Sequence, residues 1–129
     1  MDIGISIITV GMNHLKYIKE LYKTLFDEKT RPKTPFEAIF VDNCSTDGSV
    51  EFLQKNYPEV IIIRNNEPYG FGKNNNIGAE SANGKYIAII NPDIRIKAGS
   101  LDELYDFMET HPNIGMTVPK LFNVDGSHQ

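Results

Sequence analysis

Short apolar runs alternate with amphipathic stretches along this chain. Residues 3–10, IGISIITV, are a continuous apolar run rich in β-branched side chains, which predicts a strand buried on both faces. Leu15, Ile18, Leu21, Tyr22, Leu25 and Phe26 then recur at helical spacing, predicting a helix over 14–27. Residues 27–35, DEKTRPKTP, are polar with two prolines and read as a loop. A second strand follows over 36–42, FEAIFVD. Residues 43–49, NCSTDGS, offer several helix caps ahead of a short helix over 47–56, marked by Val50 and Leu53. A third strand is expected over 59–64, EVIIIR, and a helix of small residues over 71–84. A fourth strand covers 85–90, KYIAII. Ser100 is the expected cap of a last helix running to about residue 110. A fifth strand is expected over 113–121, NIGMTVPKL, followed by a turn at Asp125-Gly126.

Strands alternating with helices predict an α/β fold: a mostly parallel sheet flanked by helices and joined by right-handed crossovers. The 129 residues suit one domain over 1–129, large enough for a real core. Hydrophobic content of 40% and charged content of 23% are those of a soluble globular chain. The net charge of −4 argues against a general nucleic-acid binder, which normally carries a basic face. Cys44 is the one cysteine, so no internal disulfide forms, and a reducing compartment is expected. The start, MDIGISIITV, lacks a basic n-region. No apolar run approaches the ~20 residues that cross a bilayer. A cytoplasmic location is expected, with peripheral contact to the inner face of a membrane by a longer protein.

In an open parallel sheet, ligands bind beyond the carboxyl ends of the strands. Polar residues gather at those ends here. Val10-Gly11-Met12-Asn13 follow the first strand, and Asp42-Asn43-Cys44-Ser45 close the second. Asn65-Asn66-Glu67 and Gly70-Phe71-Gly72-Lys73-Asn74 follow the third, and Asn91-Pro92-Asp93 the fourth. Each piece has a plainer reading alone: Asp42-Asn43 as a turn and cap, GFGK as a flexible loop, NPD as a common turn. GFGK is no dinucleotide fingerprint, because Asn75 stands at the third glycine position, and no P-loop spacing surrounds it. His14, His111 and His128 form no metal-ligand spacing. The set and its order carry the weight.

That order resembles a known family. ISIITVGMN, EAIFVDNCSTDGS, NEPYGFGKNNNIGAESANGKYI and INPD are similar to the nucleotide-sugar-binding half of family 2 glycosyltransferases of the GT-A fold. The rhamnosyltransferase-like branch, in which NPD replaces the usual DxD, is the nearest pattern. The resemblance implies transfer of a sugar from a dTDP- or UDP-linked donor, metal-assisted and inverting. The implied acceptor is a cell-surface polysaccharide or a related glycan or lipid-linked acceptor. It implies that Val10 and Met12 line a nucleobase pocket. Asp42, with Asn43 beside it, would accept a hydrogen bond from the N3–H of uracil or thymine. Phe71 and Lys73 would flank base and diphosphate. Asn74 and Asn75 would begin a helix whose N-terminal amides face the ligand. Asp93 would hold a divalent metal, Mg²⁺ or Mn²⁺, with Asn91 on the ribose or a metal-bound water.

Two departures bear on this. Asn91 stands in place of the first acid of a DxD, leaving one carboxylate. Met12 stands where an aromatic often stacks on the base, although a thioether also packs on such a face. Relatives continue further, so the acceptor half and the catalytic base are expected beyond Gln129. A nucleotide-sugar-binding module without turnover is therefore the alternative. A sugar nucleotidyltransferase would want Gly, Arg and Lys in the loop that here reads VGMNHLK. A phosphoacceptor domain would want paired acids after the first strand. A homo-oligomer is a further expectation, since an incomplete sheet exposes apolar surface.

Overall fold

The computed structural model describes residues 2–129. Eight elements follow one another: β1 (Ile5–Gly11), α1 (Leu15–Phe26), β2 (Phe36–Asp42), α2 (Ser49–Asn56), β3 (Ile61–Arg64), α3 (Phe71–Glu80), β4 (Tyr86–Ile89) and α4 (Ser100–Thr110). The strands form one sheet in the order β3-β2-β1-β4, and every pairing is parallel. β1 and β2 are central, which is why their sequences are apolar on both faces. Gly11 pairs with Asp42, and Asp42 with Arg64, so the strands end together along one edge.

The two faces are covered unequally. Ile5, Ile7, Ala38 and Phe40 pack with Ile18, Leu21, Tyr22 and Leu25 of α1, Val50 and Leu53 of α2, and Leu101 of α4. On the other face Ile8, Ile39 and Val41 meet Ile77 and Ala79 of α3, and Ala82 just beyond it. α3 lies unusually close to the sheet. A Cβ on Gly78 would stand 2.6 Å from Ile8 Cγ2. Small residues permit that approach, and they also explain the helix's weak hydrophobic periodicity.

Four of the five expected strands and all four expected helices are present, most of them with shorter ends. α3 stops at Glu80 rather than 84, because Asn83 turns to donate its backbone N–H to Glu37 Oε1 at 2.6 Å. Ser100 is not the cap of α4. Gly99 takes that position with φ 81°, and Ser100 Oγ donates to the Lys97 carbonyl at 2.8 Å. The fifth strand is absent among the described residues. Ile114, Met116 and Val118 do alternate, but they are exposed and join no ladder. Alternation marks an extended, one-sided segment; only a hydrogen-bonded neighbour makes it a strand. The turn at Asp125-Gly126 is present: Gly126 has φ 88°, its N–H donates to the Asn123 carbonyl at 2.9 Å, and Phe122 bridges His128.

Candidate functional site

Because every strand is parallel, the segments after β1, β2, β3 and β4 emerge on the same edge. They enclose a cleft of about 450 Å³. Val10 and Met12 from the end of β1 form its floor, with His14 and Tyr17 from the start of α1 beside them. Asn43, Tyr69, Phe71 and Asn74 contribute from β2, the β3–α3 loop and α3. Asn91, Pro92 and Asp93 complete the lining after β4. A larger open hollow of about 700 Å³ lies around Arg31, Lys33 and Phe36 at the opposite, amino end of the strands. The convergent polar groups belong to the smaller cleft.

The loop after β1 is held firmly. Asn13 adopts φ 57°, donates its N–H to Ser45 Oγ at 3.0 Å and accepts from the Thr46 N–H at 2.7 Å. Asp47 accepts from the Leu15 N–H at 2.9 Å and from the Ser49 N–H at 3.1 Å, so one carboxylate ties the starts of α1 and α2. Burial raises the Asp47 pKa, but hydrogen bonds from Ser49 and the Leu15 backbone outweigh it and hold the carboxyl below its usual range. The Met12 N–H donates to His14 Nδ1 at 2.9 Å. In the neutral ring the proton therefore sits on Nε2, leaving a donor on the cleft wall.

Seven of the ten expected residues line the cleft: Val10, Met12, Asn43, Phe71, Asn74, Asn91 and Asp93. Asp42, Lys73 and Asn75 do not. Asp42 is 1% exposed, and both its oxygens accept from the Ser45 N–H at 3.3 Å. Lys73 Nζ rests 3.6 Å above the centre of the Tyr69 ring. Asn43 and Asn74 line the cleft, but their amides are engaged internally. Asn43 Nδ2 donates to the Tyr69 carbonyl at 3.1 Å, and its Oδ1 accepts from the Tyr69 N–H at 2.8 Å. Asn74 Nδ2 also donates to that carbonyl at 3.1 Å.

α3 begins at Phe71, a turn earlier than Asn74 and Asn75, so its open N-terminal amides are those of residues 71–73. No side chain caps it. Asn75 lies within the helix, and its Oδ1 is a buried side-chain acceptor without a partner. His14, Tyr17 and Tyr69 were not anticipated. His14 is the N-cap of α1 and Tyr17 lies in its first turn, at the edge where the strands end, and that position was a usable signal.

Asp93 is the only carboxylate on the lining, and no group of three or more metal-binding side chains occurs among the described residues. A divalent ion could take one carboxylate here, plus water and ligand oxygens, as Mg²⁺ commonly does. The donor set fits a metal that comes with an anionic ligand and does not fit one held by protein alone.

Residues 6–127 match the sequence model of Glycosyl transferase family 2. The chain belongs to this family. It is 30% identical over 110 residues to the poly(ribitol-phosphate) beta-N-acetylglucosaminyltransferase TarS of Staphylococcus aureus, covering 82% of this chain and 19% of that protein. It is 31% identical over 107 residues to the putative teichuronic acid biosynthesis glycosyltransferase TuaG of Bacillus subtilis, covering 81% and 41%. This family 2 chain therefore spans about a fifth to two fifths of the length of those relatives. Its fold is that of the crystal structure of S. aureus TarS 1-349, with a TM-score of 0.74 and 27% identity over 91% of this chain and 38% of that one. The same fragment in complex with UDP-GlcNAc gives a TM-score of 0.74 at 24% identity, covering 95% and 41%. The four-stranded parallel sheet and its helices are thus the GT-A arrangement.

Proposed function

We propose that this chain carries the donor site of a glycosyltransferase that takes its sugar from a nucleoside diphosphate sugar, with uridine preferred over thymidine as the nucleoside. The observation that carries the reading is the cleft itself. It joins an apolar wall of Val10, Met12 and Phe71 to a polar end at Asn91 and Asp93, at the ligand-binding edge of the sheet. The structural neighbour of the same fold bound to UDP-GlcNAc supports the choice of uridine.

The residues divide the work by chemistry. Met12 and Phe71, 44% and 62% exposed, offer apolar surface to the base. Asp42, 1% exposed behind the lining, accepts from the base N3–H once Ser45 moves aside and uncovers the carboxylate. The open amides of α3 and His14 Nε2–H present donors to ligand oxygens. Lys73 swings from Tyr69 toward the diphosphate. Asp93, with Asn91 beside it, would hold a Mg²⁺ or Mn²⁺ that offsets charge on the departing diphosphate. The transfer is inverting, and the base that takes the acceptor's proton comes from outside this cleft. The acceptor is a cell-surface polysaccharide or its lipid-linked precursor, met at the cytoplasmic face of the membrane. No helix among the described residues is long and apolar enough to cross one.

One observation favours a second reading for the isolated chain. Asp93 is the only lining carboxylate, so no lining acid remains to deprotonate an acceptor. By itself the chain would then bind donor without turnover. Calorimetry with UDP, dTDP and GDP, followed by an assay of UDP release from UDP-GlcNAc with Mn²⁺ and candidate glycan acceptors, separates the cases. Tight UDP binding with release supports the enzyme, and binding without release supports the module. Equal indifference to all three nucleotides would end both readings.

A further inference from the structure

We infer that Asn65 is a positioning residue that, with Asn43 and Asn74, sets the aromatic wall of the cleft. Two side-chain amides hold the backbone of one residue, and a third amide ties those two together. Tyr69 lies between β3 and α3, where no ladder holds its backbone. Its N–H donates to Asn43 Oδ1 at 2.8 Å, and its carbonyl accepts from Asn43 Nδ2 and Asn74 Nδ2, each at 3.1 Å. Asn65 Nδ2 donates to Asn43 Oδ1 at 3.1 Å and to Asn74 Oδ1 at 2.6 Å. These side-chain bonds join the end of β2, the end of β3 and the first turns of α3, beside the backbone bond from the Asn65 N–H to the Asp42 carbonyl at 3.0 Å.

The chemistry demands amides. Asn43 must accept from one group of Tyr69 and donate to the other, which a carboxylate or an apolar side chain cannot do. Asn43 and Asn74 are 9% and 1% exposed, so an amide left unpaired there would be costly. Phe71, two residues beyond Tyr69, is 62% exposed. Few neighbours hold that ring, so the backbone that precedes it decides where it stands. A planar base can use such a ring only if it is fixed before the ligand arrives. This inference rests on the donor-site reading for its ligand but not for its geometry.

Asn65 gives the clean test because it does not line the cleft. A loss of affinity on its removal has to pass through other residues. Two measurements on the full chain decide the matter. In hydrogen exchange, Asn65→Ala is expected to speed exchange of the Tyr69 amide on the order of tenfold, with β1 and β2 unchanged. In calorimetry with UDP and Mg²⁺, Asn65→Ala is expected to weaken binding several-fold in the parent and hardly at all in a Phe71→Ala background. Asn65→Ser, which keeps one hydroxyl donor, should fall between and serves if the alanine variant folds poorly. An unchanged Tyr69 amide would overturn the inference. So would an affinity loss of the same size with and without Phe71, as expected of a residue that only stabilises the fold. If the parent binds no nucleoside diphosphate, the donor-site reading fails, and the exchange of Tyr69 still decides the clamp.

Discussion

Two carboxylates carry most of the proposed chemistry, and they sit in opposite environments. Asp42 is buried at the centre of the strand ends, between Gly11 and Arg64 in register. Asp93 is exposed on the cleft rim. On the proposed reading Asp42→Ala deletes a charge-assisted hydrogen bond to the base worth ~1.5–3 kcal/mol, and UDP binding should weaken on the order of tenfold or more in calorimetry. Asp93→Ala should instead leave metal-free UDP binding in place and abolish its enhancement by Mg²⁺ or Mn²⁺. Identical binding by either variant and the parent would remove that residue from the site. The residue types were legible in the sequence, but their availability was not. Asn43 and Asn74 read as ligand contacts because an amide at a strand end can serve either purpose. Only three-dimensional neighbours show that Tyr69 has already claimed both.

Among the elements, α3 is the one whose sequence says least and whose placement matters most. Among the described residues it is the helix on its face of the sheet, and Gly78 lets it approach Ile8. Gly78→Ala gains about 1 kcal/mol of helix propensity but overpacks a buried contact at a cost of ~1–3 kcal/mol. A lowered melting temperature is expected, whereas Gly72→Ala, with open space around the new Cβ, should hold or raise it. A stabilised Gly78→Ala protein would contradict this packing. The starts of α1 and α2 depend on Asp47, whose folded pKa is lowered despite burial by its bonds to Ser49 and Leu15. Asp102 is lowered in the same way by Thr34 and Lys33. A lowered carboxyl stabilises the fold above its unfolded pKa and loses that contribution as pH falls through the folded one. Stability should therefore drop as pH goes below the ordinary Asp value of about 3.9. Denaturation of Asp47→Asn across that range should show a flatter acid limb, and a limb as steep as the parent's would count against the tie.

At the scale of the molecule, the βαβ rhythm was readable because β1 and β2 are apolar on both faces, a pattern that only a central parallel strand needs. From that rhythm the shared strand edge followed, and with it the neighbourhood of residues 10–12, 42–43, 71–74 and 91–93. The last seventeen residues were less legible. Ile114, Met116 and Val118 alternate as a strand would, yet pairing depends on a neighbour that sequence periodicity cannot supply. Burial of Asp42 and the parking of Lys73 on Tyr69 were likewise invisible, since both are set by loop geometry. The central claim is one of place: nucleoside diphosphate binds where the four strands end. Titration of isotopically labelled protein with UDP and Mg²⁺, followed through backbone amide resonances, tests it directly. The largest shifts should fall at residues 10–14, 42–47, 69–74 and 91–93, and shifts centred on residues 28–36 at the opposite end of the sheet would contradict it.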